Sequence, residues 1–165
     1  MKEGDIRKCD SRDAETLSGL ISEAFADQAE RFGLDCRNAL RHPSNCRPDW
    51  IFRDMNRGVL YYLFEHNSTP EGVVALEQIN GEVCALLHLA VSPEFRRQGI
   101  GARLMRHALT EAQRLGAKRV HADVTAEDAE LRAWCEKLGF AEKDFREYPQ
   151  SYLRDVILVC EFQTC

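Results

Sequence analysis

Residues 89–102 of the chain read LAVSPEFRRQGIGA, an apolar run that passes through a short turn into the start of a helix. Gly99 and Gly101 permit positive φ angles and leave backbone N–H groups uncovered, so consecutive amides can converge on an anion at the helix N-terminus. Arg96 and Arg97 place two positive charges beside these amides. The Gly-Lys-Ser/Thr of a P-loop and the G-x-G-x-x-G of a dinucleotide-binding fingerprint are both missing. The stretch therefore predicts a phosphate cradle, and the alternative is a tight structural turn with solvated arginines.

The composition is that of an ordinary globular chain. With 165 residues the chain is long enough for one domain, and 44% hydrophobic and 30% charged residues exclude a low-complexity protein. The net charge of −5 argues against a non-specific nucleic-acid binder, so an anionic ligand must be held by local groups. The polar start and the lack of any run of about 18 apolar residues predict a cytoplasmic protein without a membrane partner.

The cysteines give no sign of a disulfide framework or a metal site. All seven are scattered, and no C-x-x-C pair occurs, so we expect reduced thiols. The group that comes nearest to a metal constellation is Cys36, His42 and Cys46, whose spacings match no common site. We therefore expect no bound metal.

Periodicity predicts one α+β domain with the element order β-α-(α)-β-β-β-α-β-α-β-β. Apolar residues at helical offsets favour a first helix through Leu17 and Phe25, followed by a long loop or broken helix over residues 28–48. Asn80-Gly81 between two apolar runs is a strong hairpin signal and indicates an antiparallel meander. The predicted strands are residues 6–8, 59–65, 72–78, 83–91, 119–124, 144–148 and 156–162, and the later helices are residues 49–55, a segment ending at Gly116, and 126–138.

The flanks of the glycine turn resemble a known family. Arg-Arg-Gln-Gly-Ile-Gly-Ala after a strand ending Ala-Val-Ser-Pro is similar to the acetyl-CoA-binding motif of the GNAT superfamily of N-acyltransferases. Ile6-Arg7 before an acidic-capped helix resembles the family's opening, and residues 134–140, WCEKLGF, resemble its aromatic-Tyr-Glu-Lys-Leu-Gly-Phe segment. The resemblance implies a single GNAT domain over residues 1–165. Its twisted, mixed and mostly antiparallel sheet would be flanked by helices and splayed between strands 4 and 5.

The resemblance also implies where acetyl-CoA binds as cosubstrate, namely in the V between residues 83–91 and 119–124. Backbone groups of the fourth strand would bond the pantetheine and polarise the thioester carbonyl, and the glycine turn would hold the pyrophosphate. Asp128 stands where many relatives have an Asn near the pantetheine, and because a carboxylate cannot donate as an amide does, we expect that contact to be weaker or reorganised. The implied cofactor-binding residues are Leu89, Ala90 and Val91, Arg96, Arg97, Gln98, Gly99, Ile100, Gly101 and Ala102, and Asp128.

The catalytic residues depart from the family pattern. Cys135 stands where the family commonly has a Tyr that acts as the general acid. A thiol could also donate a proton, and the alternative is that Cys135 is a buried packing residue. The Glu that many members carry on strand 4 is absent, since Leu87-His88 occupies that place. Candidate bases are Glu77, His88 and, with less support, His121.

We therefore expect an N-acetyltransferase that moves the acetyl group of acetyl-CoA to a primary amine of a small molecule or a protein. The alternatives are a catalytically weak or inactive acyl-CoA-binding module of the same fold and an α+β domain that binds no CoA. The resemblance implies that residues 28–55 shape the acceptor side. Their arginines suggest an acceptor with a carboxylate or phosphate, although a solvated loop is the favoured explanation. The apolar strand 156–162 could pair across a homodimer or be covered within the chain.

Overall fold

The computed structural model describes residues 3–147 and 154–163, which fold around one seven-stranded sheet. The elements are β1 Asp5–Lys8, α1 Ala14–Arg31, α2 Pro48–Asn56, β2 Leu60–His66, β3 Thr69–Gln78, β4 Val83–Val91, α3 Ile100–Arg114, β5 Arg119–Thr125, α4 Ala129–Lys137, β6 Ala141–Glu147 and β7 Arg154–Glu161. The strand order is β1-β2-β3-β4-β5-β7-β6, with β4 and β5 parallel and the other neighbours antiparallel. This is the mixed, mostly antiparallel α+β sheet that the sequence predicted.

Each face of the sheet carries its own core, because successive side chains of a strand point to opposite faces. On one face, Leu17 and Ile21 of α1 and Ile51 of α2 pack on Tyr61 and Ala75 of β2 and β3. On the other face, α3 and the buried side of α4 cover the neighbouring positions, including Leu76, Leu86 and Leu158. The helices thus form two layers around the sheet, with α1 and α2 on one side and α3 and α4 on the other.

The predicted meander is confirmed, with one shifted turn. Asn80 closes the β3–β4 hairpin by accepting hydrogen bonds on its side chain from Glu82 and Val83. The β2–β3 turn is tighter than the expected separator of residues 67–70, because Asn67 and Ser68 alone take positive φ angles of 49° and 63°. A two-residue turn of this kind matches the twist of the flanking strands, so β3 already begins at Thr69.

The first helix is longer than predicted. The loop expected from residue 28 begins only after Arg31, because Gln28 and Ala29 are buried within α1. The segment of residues 32–47 then contains a single short helical turn, Pro43–Asn45. Tertiary burial of polar Gln28 explains the difference, since sequence periodicity gives a polar residue no reason to extend an apolar stripe.

The last strand lies inside the sheet. β7 pairs with β5 on one side and with β6 on the other, so both of its edges are satisfied within the chain. Of the two readings of residues 156–162, internal pairing is therefore the one observed, and β7 gives no basis for a dimer. The end of the predicted strand 144–148 at Tyr148 lies outside the described residues.

The parallel pair parts halfway along its length. β4 and β5 are paired only from Val83 with Arg119 to Leu86 with Ala122, while both strands continue beyond these residues. Leu87 to Val91 therefore keep β3 as a neighbour and lose β5, which confirms the predicted splay between strands 4 and 5. None of the described helices is long and apolar enough to cross a membrane.

Candidate active site

The glycine turn forms the open end of the splay. Arg97 and Gly99 have φ angles of 64° and 82°, and Gly99 is the N-cap of α3 without any side-chain cap. The first N–H groups of a helix have no partner inside the helix, so here they face outward beside an exposed arginine. This geometry supports the anion cradle. Within it Gln98 is exposed, Ala102 is half-buried and Ile100 is anchored in the core.

Gly101 faces the cleft between α4 and β4. A methyl group built on Gly101 would lie 3.4 Å from the Trp134 ring and 3.8 Å from the Val91 side chain. One added carbon would therefore be in ordinary contact, whereas a branched side chain would meet the indole. The absence of a side chain at Gly101 therefore leaves space between the Trp134 ring and the Val91 side chain.

The two arginines of the turn differ in their contacts. Arg96 donates to the carboxylate of Asp27 at 2.9 Å and to the carbonyl oxygens of Ala24 and Val91. It therefore braces α1 against the end of β4, and its guanidinium is engaged in the folded chain. Arg97 is exposed, and within the described part of the chain no ion pair or hydrogen bond engages its side chain. Of the pair predicted to meet pyrophosphate, Arg97 is the one left available.

The fourth strand carries a bulge inside the splay. Ala75 pairs with Leu87 and Val73 pairs with Ala90, so β4 has one more residue than β3 between these points. His88 absorbs the extra residue with a φ angle of 50°. Leu89 and Val91 face the α3 layer, and Ala90 faces the α1 layer. Beyond the last β4–β5 pair, no described strand pairs with that side of Leu87 to Val91. The Val91 carbonyl oxygen accepts from Arg96, and the other backbone groups on that side can meet a ligand.

The bulge turns His88 towards α2. Its Nε2 lies 3.8 Å from Asp54 Oδ2, and its ring stacks on that of Tyr61 with centroids 6.3 Å apart. The Tyr61 hydroxyl donates a hydrogen bond to the same Asp54 oxygen. Burial lowers the pKa of His88, the negative charge of Asp54 opposes this shift, and Arg57 reinforces it. Asp54 and Tyr61 were not predicted from the sequence, since a lone Asp on a short helix carries no signal.

Glu77 lies in the closed half of the sheet. It is opposite Ala85, which is still paired with β5, and its carboxylate receives the Arg57 guanidinium at 3.2 Å. Arg57 also reaches Asp54 at 3.1 Å, so Glu77 and His88 lie at the two ends of one charged cluster. The structure therefore places His88 at the splay, while Glu77 is set back and held by a cation.

Cys135 is a core residue. Its side chain is 2% exposed and lies within the cluster between α4 and the sheet, and burial raises the pKa of its thiol to about 11. Among the readings weighed for this position, packing is the one that the geometry favours.

Asp128 caps α4 and ties it to α1. One carboxylate oxygen accepts from the Leu131 N–H at 3.2 Å, and the other accepts from Gln28 Nε2 at 2.8 Å and from Arg31 at 3.3 Å. Both oxygens are therefore engaged within the protein. This supports the expectation that a contact made by an Asn in relatives is reorganised here.

Beyond the last β4–β5 pair, β5 presents a carboxylate that the sequence reasoning missed. Asp123 is exposed and follows Ala122, and strand alternation places it on the face of His121, opposite buried Ala122 and Val124. The alternation of residues 121–124 could have revealed it. His121 itself pairs with Ala85, in the closed part of the sheet.

Of the three residues Cys36, His42 and Cys46, which come nearest to a metal site in the sequence, His42 has both ring nitrogens engaged by other side chains. The two ring nitrogens of His42 are engaged by Ser44 at 2.8 Å and by Gln28 at 2.7 Å. Within residues 3–147 and 154–163, no group of three or more His, Cys, Asp or Glu side chains is arranged to hold a metal ion.

Known proteins share this sequence pattern and this fold. The sequence model of the acetyltransferase (GNAT) family matches residues 20–140. The curated alanine N-acetyltransferase of ribosomal protein bS18 from Escherichia coli strain K12 is 29% identical over 107 residues, which cover 63% of this chain and 72% of the relative.

Solved structures agree in fold. The ribosomal-protein-S18-alanine N-acetyltransferase from Escherichia coli superposes with a TM-score of 0.79 at 18% identity, covering 99% of this chain and 96% of that chain. A GNAT family acetyltransferase from Elizabethkingia anophelis with acetyl-CoA bound gives a TM-score of 0.64 at 21% identity, covering 76% and 88% of the two chains. The family model spans most of the sequence, and the splayed cleft is the one that the motif implied. The chain therefore belongs to the acetyltransferase (GNAT) family and is an acetyltransferase that uses acetyl-CoA as its cosubstrate.

Proposed function

We propose that the protein acetylates the α-amino group at the N-terminus of another protein, and that it does so in the cytoplasm. Acyl transfer is supported by three features that lie in one cleft. They are the parted strands β4 and β5, the β4 bulge at His88 and the N-terminal amides of α3 after Gly99. The choice of a protein amine is supported by the curated relatives, whose name specifies the alanine of a ribosomal protein as acceptor.

The residues of the cleft fit the two ends of acetyl-CoA. The amides from Arg97 to Ala102, with the Arg97 side chain, would hold the pyrophosphate, because the first N–H groups of α3 have no partner inside the helix and Arg97 is exposed beside them. Backbone groups of Leu89 and Val91 beside the bulge would bond the pantetheine and polarise the thioester carbonyl. The amine then attacks the carbonyl carbon, the C–S bond breaks and the CoA thiolate leaves.

Binding and turnover should be measured separately. At 100 times Kd, acetyl-CoA stabilises the folded chain by about 2.7 kcal/mol, which raises Tm by roughly 5–10 °C for a domain of this size. NAD serves as the control ligand and should give no shift. A lack of any shift at millimolar acetyl-CoA would contradict the site assignment.

Turnover is then followed by thiol release and by the mass of the product. We expect acetylation of short peptides that begin with Ala, and none of the same peptides with a blocked N-terminus. Small amines and an internal Lys in the blocked peptide test the other acceptor classes. Acetyl-CoA binding without transfer to any of these amines would instead favour the acyl-CoA-binding module.

A further inference from the structure

The bulge in β4 reverses the direction of one side chain. Regular alternation would place His88 on the α3 face, since Leu87 before it faces α1. With one extra residue and a φ angle of 50°, both Leu87 and His88 face the α1 and α2 layer instead. His88 is thereby positioned two residues past the last β4–β5 pair, beside the backbone proposed to meet the thioester.

We propose that His88 is the general base of acetyl transfer and that Asp54 is the residue that positions it. This inference rests on the proposed function and extends it to the route of the proton. Imidazole Nε2 faces Asp54 Oδ2, so the charge of the carboxylate favours the tautomer with the proton on Nε2. Nδ1 then remains the acceptor, and within the described residues nothing forms a hydrogen bond to it.

Asp54 is itself held in place on both oxygens. The Tyr61 hydroxyl donates to Oδ2, and Arg57 contacts Oδ1 at 3.1 Å. Burial and the contact with Asp54 raise the pKa of Tyr61 strongly, so its hydroxyl stays protonated and remains a donor. The carboxylate is thus fixed next to an imidazole whose side chain is 17% exposed, an arrangement in which a third group orients the base.

The proton balance of the step is simple. The amine nitrogen forms a bond to the acetyl carbonyl carbon, the C–S bond breaks, and its electron pair leaves on the CoA sulfur. The proton of the amine passes to His88 Nδ1, and the imidazolium that forms faces the negative charge of Asp54. Solvent takes the proton after the products have left, so no oxidant, reductant or metal is needed.

The charges around His88 support a base that is neutral before the reaction. Asp54 faces it from α2, Arg57 lies at the C-cap of that helix and Tyr61 lies on β2, while Glu77 of β3 forms an ion pair with Arg57. Cys46 lies near Asp54, and burial raises the pKa of its thiol to about 12, so it is uncharged near neutral pH. Burial and Arg57 lower the pKa of His88 against the opposing effect of Asp54, so the ring needs no prior deprotonation near pH 7.

The kinetic test uses His88→Asn and Asp54→Asn. Asn tolerates a positive φ angle better than other non-glycine residues, so His88→Asn removes the base with little change to the bulge. We expect kcat to fall about 10²-fold or more in His88→Asn and about 10-fold in Asp54→Asn, with the KM for acetyl-CoA unchanged. The acid limb of kcat/KM should vanish in His88→Asn and move to lower pH in Asp54→Asn, because loss of the carboxylate removes the effect that raises the pKa of His88.

Matched controls are available on the same elements. Asp49→Asn removes an exposed carboxylate from α2 and His66→Asn removes a histidine from the far end of β2. Both should keep the kcat and pH profile of the unmodified protein. Circular dichroism and Tm establish that each variant is folded.

A second readout does not depend on any acceptor. The imidazole of His88, followed by NMR as pH is varied, should titrate at a lower pH in Asp54→Asn than in the unmodified protein. An unchanged titration, or a folded His88→Asn with full activity and an intact acid limb, would overturn the pairing. If the unmodified protein binds acetyl-CoA and acetylates no amine, the proposed function fails, and the role of His88 as base fails with it even where the titration shows coupling to Asp54.

Discussion

The side-chain amide of Gln28 donates a hydrogen bond to the carboxylate of Asp128 at 2.8 Å, across 100 residues of sequence. Gln28 accepts in turn from His42 at 2.7 Å, and the His42 ring accepts from the backbone N–H of Ser44 at 3.2 Å. The N-cap of α4 is thus joined through α1 to the segment of residues 32–47. Each donor in this chain of hydrogen bonds has one acceptor. The bonds therefore fix the start of α4 relative to the segment of residues 32–47.

Replacement of Asp128 tests how much this junction stabilises the fold. Asp128→Ala removes a helix cap, worth about 1 kcal/mol, and leaves the buried Gln28 amide without its acceptor, which costs about 1–3 kcal/mol. Urea unfolding should therefore show a loss of about 2–4 kcal/mol. Asp128→Asn keeps an oxygen for the Leu131 N–H and should lose less.

Asp10→Ala is the control for this comparison. Asp10 caps the turn Ser11–Asp13 at an exposed position, so its loss should lower stability less than the loss of Asp128. Equal losses in Asp10→Ala and Asp128→Ala would show that the bond to Gln28 contributes nothing beyond an ordinary cap.

Stability should fall as the solution is acidified below about pH 6.5, the usual pKa of histidine. Burial lowers the pKa of His42, His88 and His107 in the folded chain, so the unfolded chain binds protons that the folded chain refuses. The free energy of unfolding is then fully present above about pH 6.5 and decreases as the pH falls below that value. Carboxylates with lowered pKa values act only below about pH 4.5, outside this window.

His107 offers a direct check of that cause. Its Nε2 is buried without a hydrogen-bond partner in the described structure, beside the Tyr62 ring. His107→Gln should make the free energy of unfolding less dependent on pH, by at most about 1.4 kcal/mol per pH unit for one proton. Urea midpoints at several pH values measure the slope, and identical slopes in both proteins would exclude His107 as a contributor.

We expect the side chain of Arg97, and not that of Arg96, to bind the cofactor. Arg97→Gln removes an exposed charge beside the α3 N-terminus, and loss of one charge-assisted hydrogen bond of about 1.5 kcal/mol weakens CoA binding about 10-fold. Isothermal titration with CoA measures the change. Arg106→Gln, an exposed arginine in the middle of α3, should leave Kd unchanged.

Arg96→Gln should behave differently from Arg97→Gln. The bonds from Arg96 to Asp27 and to the backbone of α1 and β4 stabilise the fold, so this variant should lower Tm more than Arg97→Gln. A weaker CoA affinity at unchanged Tm would instead restore Arg96 to the pyrophosphate site.

Cys135 should act through packing and not through proton transfer. Cys135→Ala should lower stability by about 1 kcal/mol and leave kcat within about twofold, because a buried thiol of raised pKa is a poor acid near pH 7. Cys135→Tyr should overpack the core by about 1–3 kcal/mol. Faster turnover in Cys135→Tyr with unchanged stability would show that the position opens to the thioester.

Patterns of neighbouring residues were sufficient to predict the order of the helices and strands. The Asn80-Gly81 turn and alternating apolar residues indicated the meander, and the glycine turn after β4 indicated the cradle, because each depends on the φ angles and burial of adjacent residues. The splay followed from the family resemblance carried by that same stretch. The observed strand ends differ from the predicted ones by a few residues. For example, β3 begins at Thr69 because the twist of the strands favours the tighter turn.

What the sequence by itself determined is the element order, the fold class, the family and the location of the anion cradle, since all of these depend on neighbours along the chain. Only the tertiary structure decided which of the candidate side chains share the cleft. The β4 bulge brings His88 to Asp54. Arg96, in the turn after β4, bonds Asp27 of α1. Gln28 bonds Asp128 across 100 residues of sequence. These pairings depend on packing between distant segments, and their polar residues follow no periodicity that the sequence could reveal.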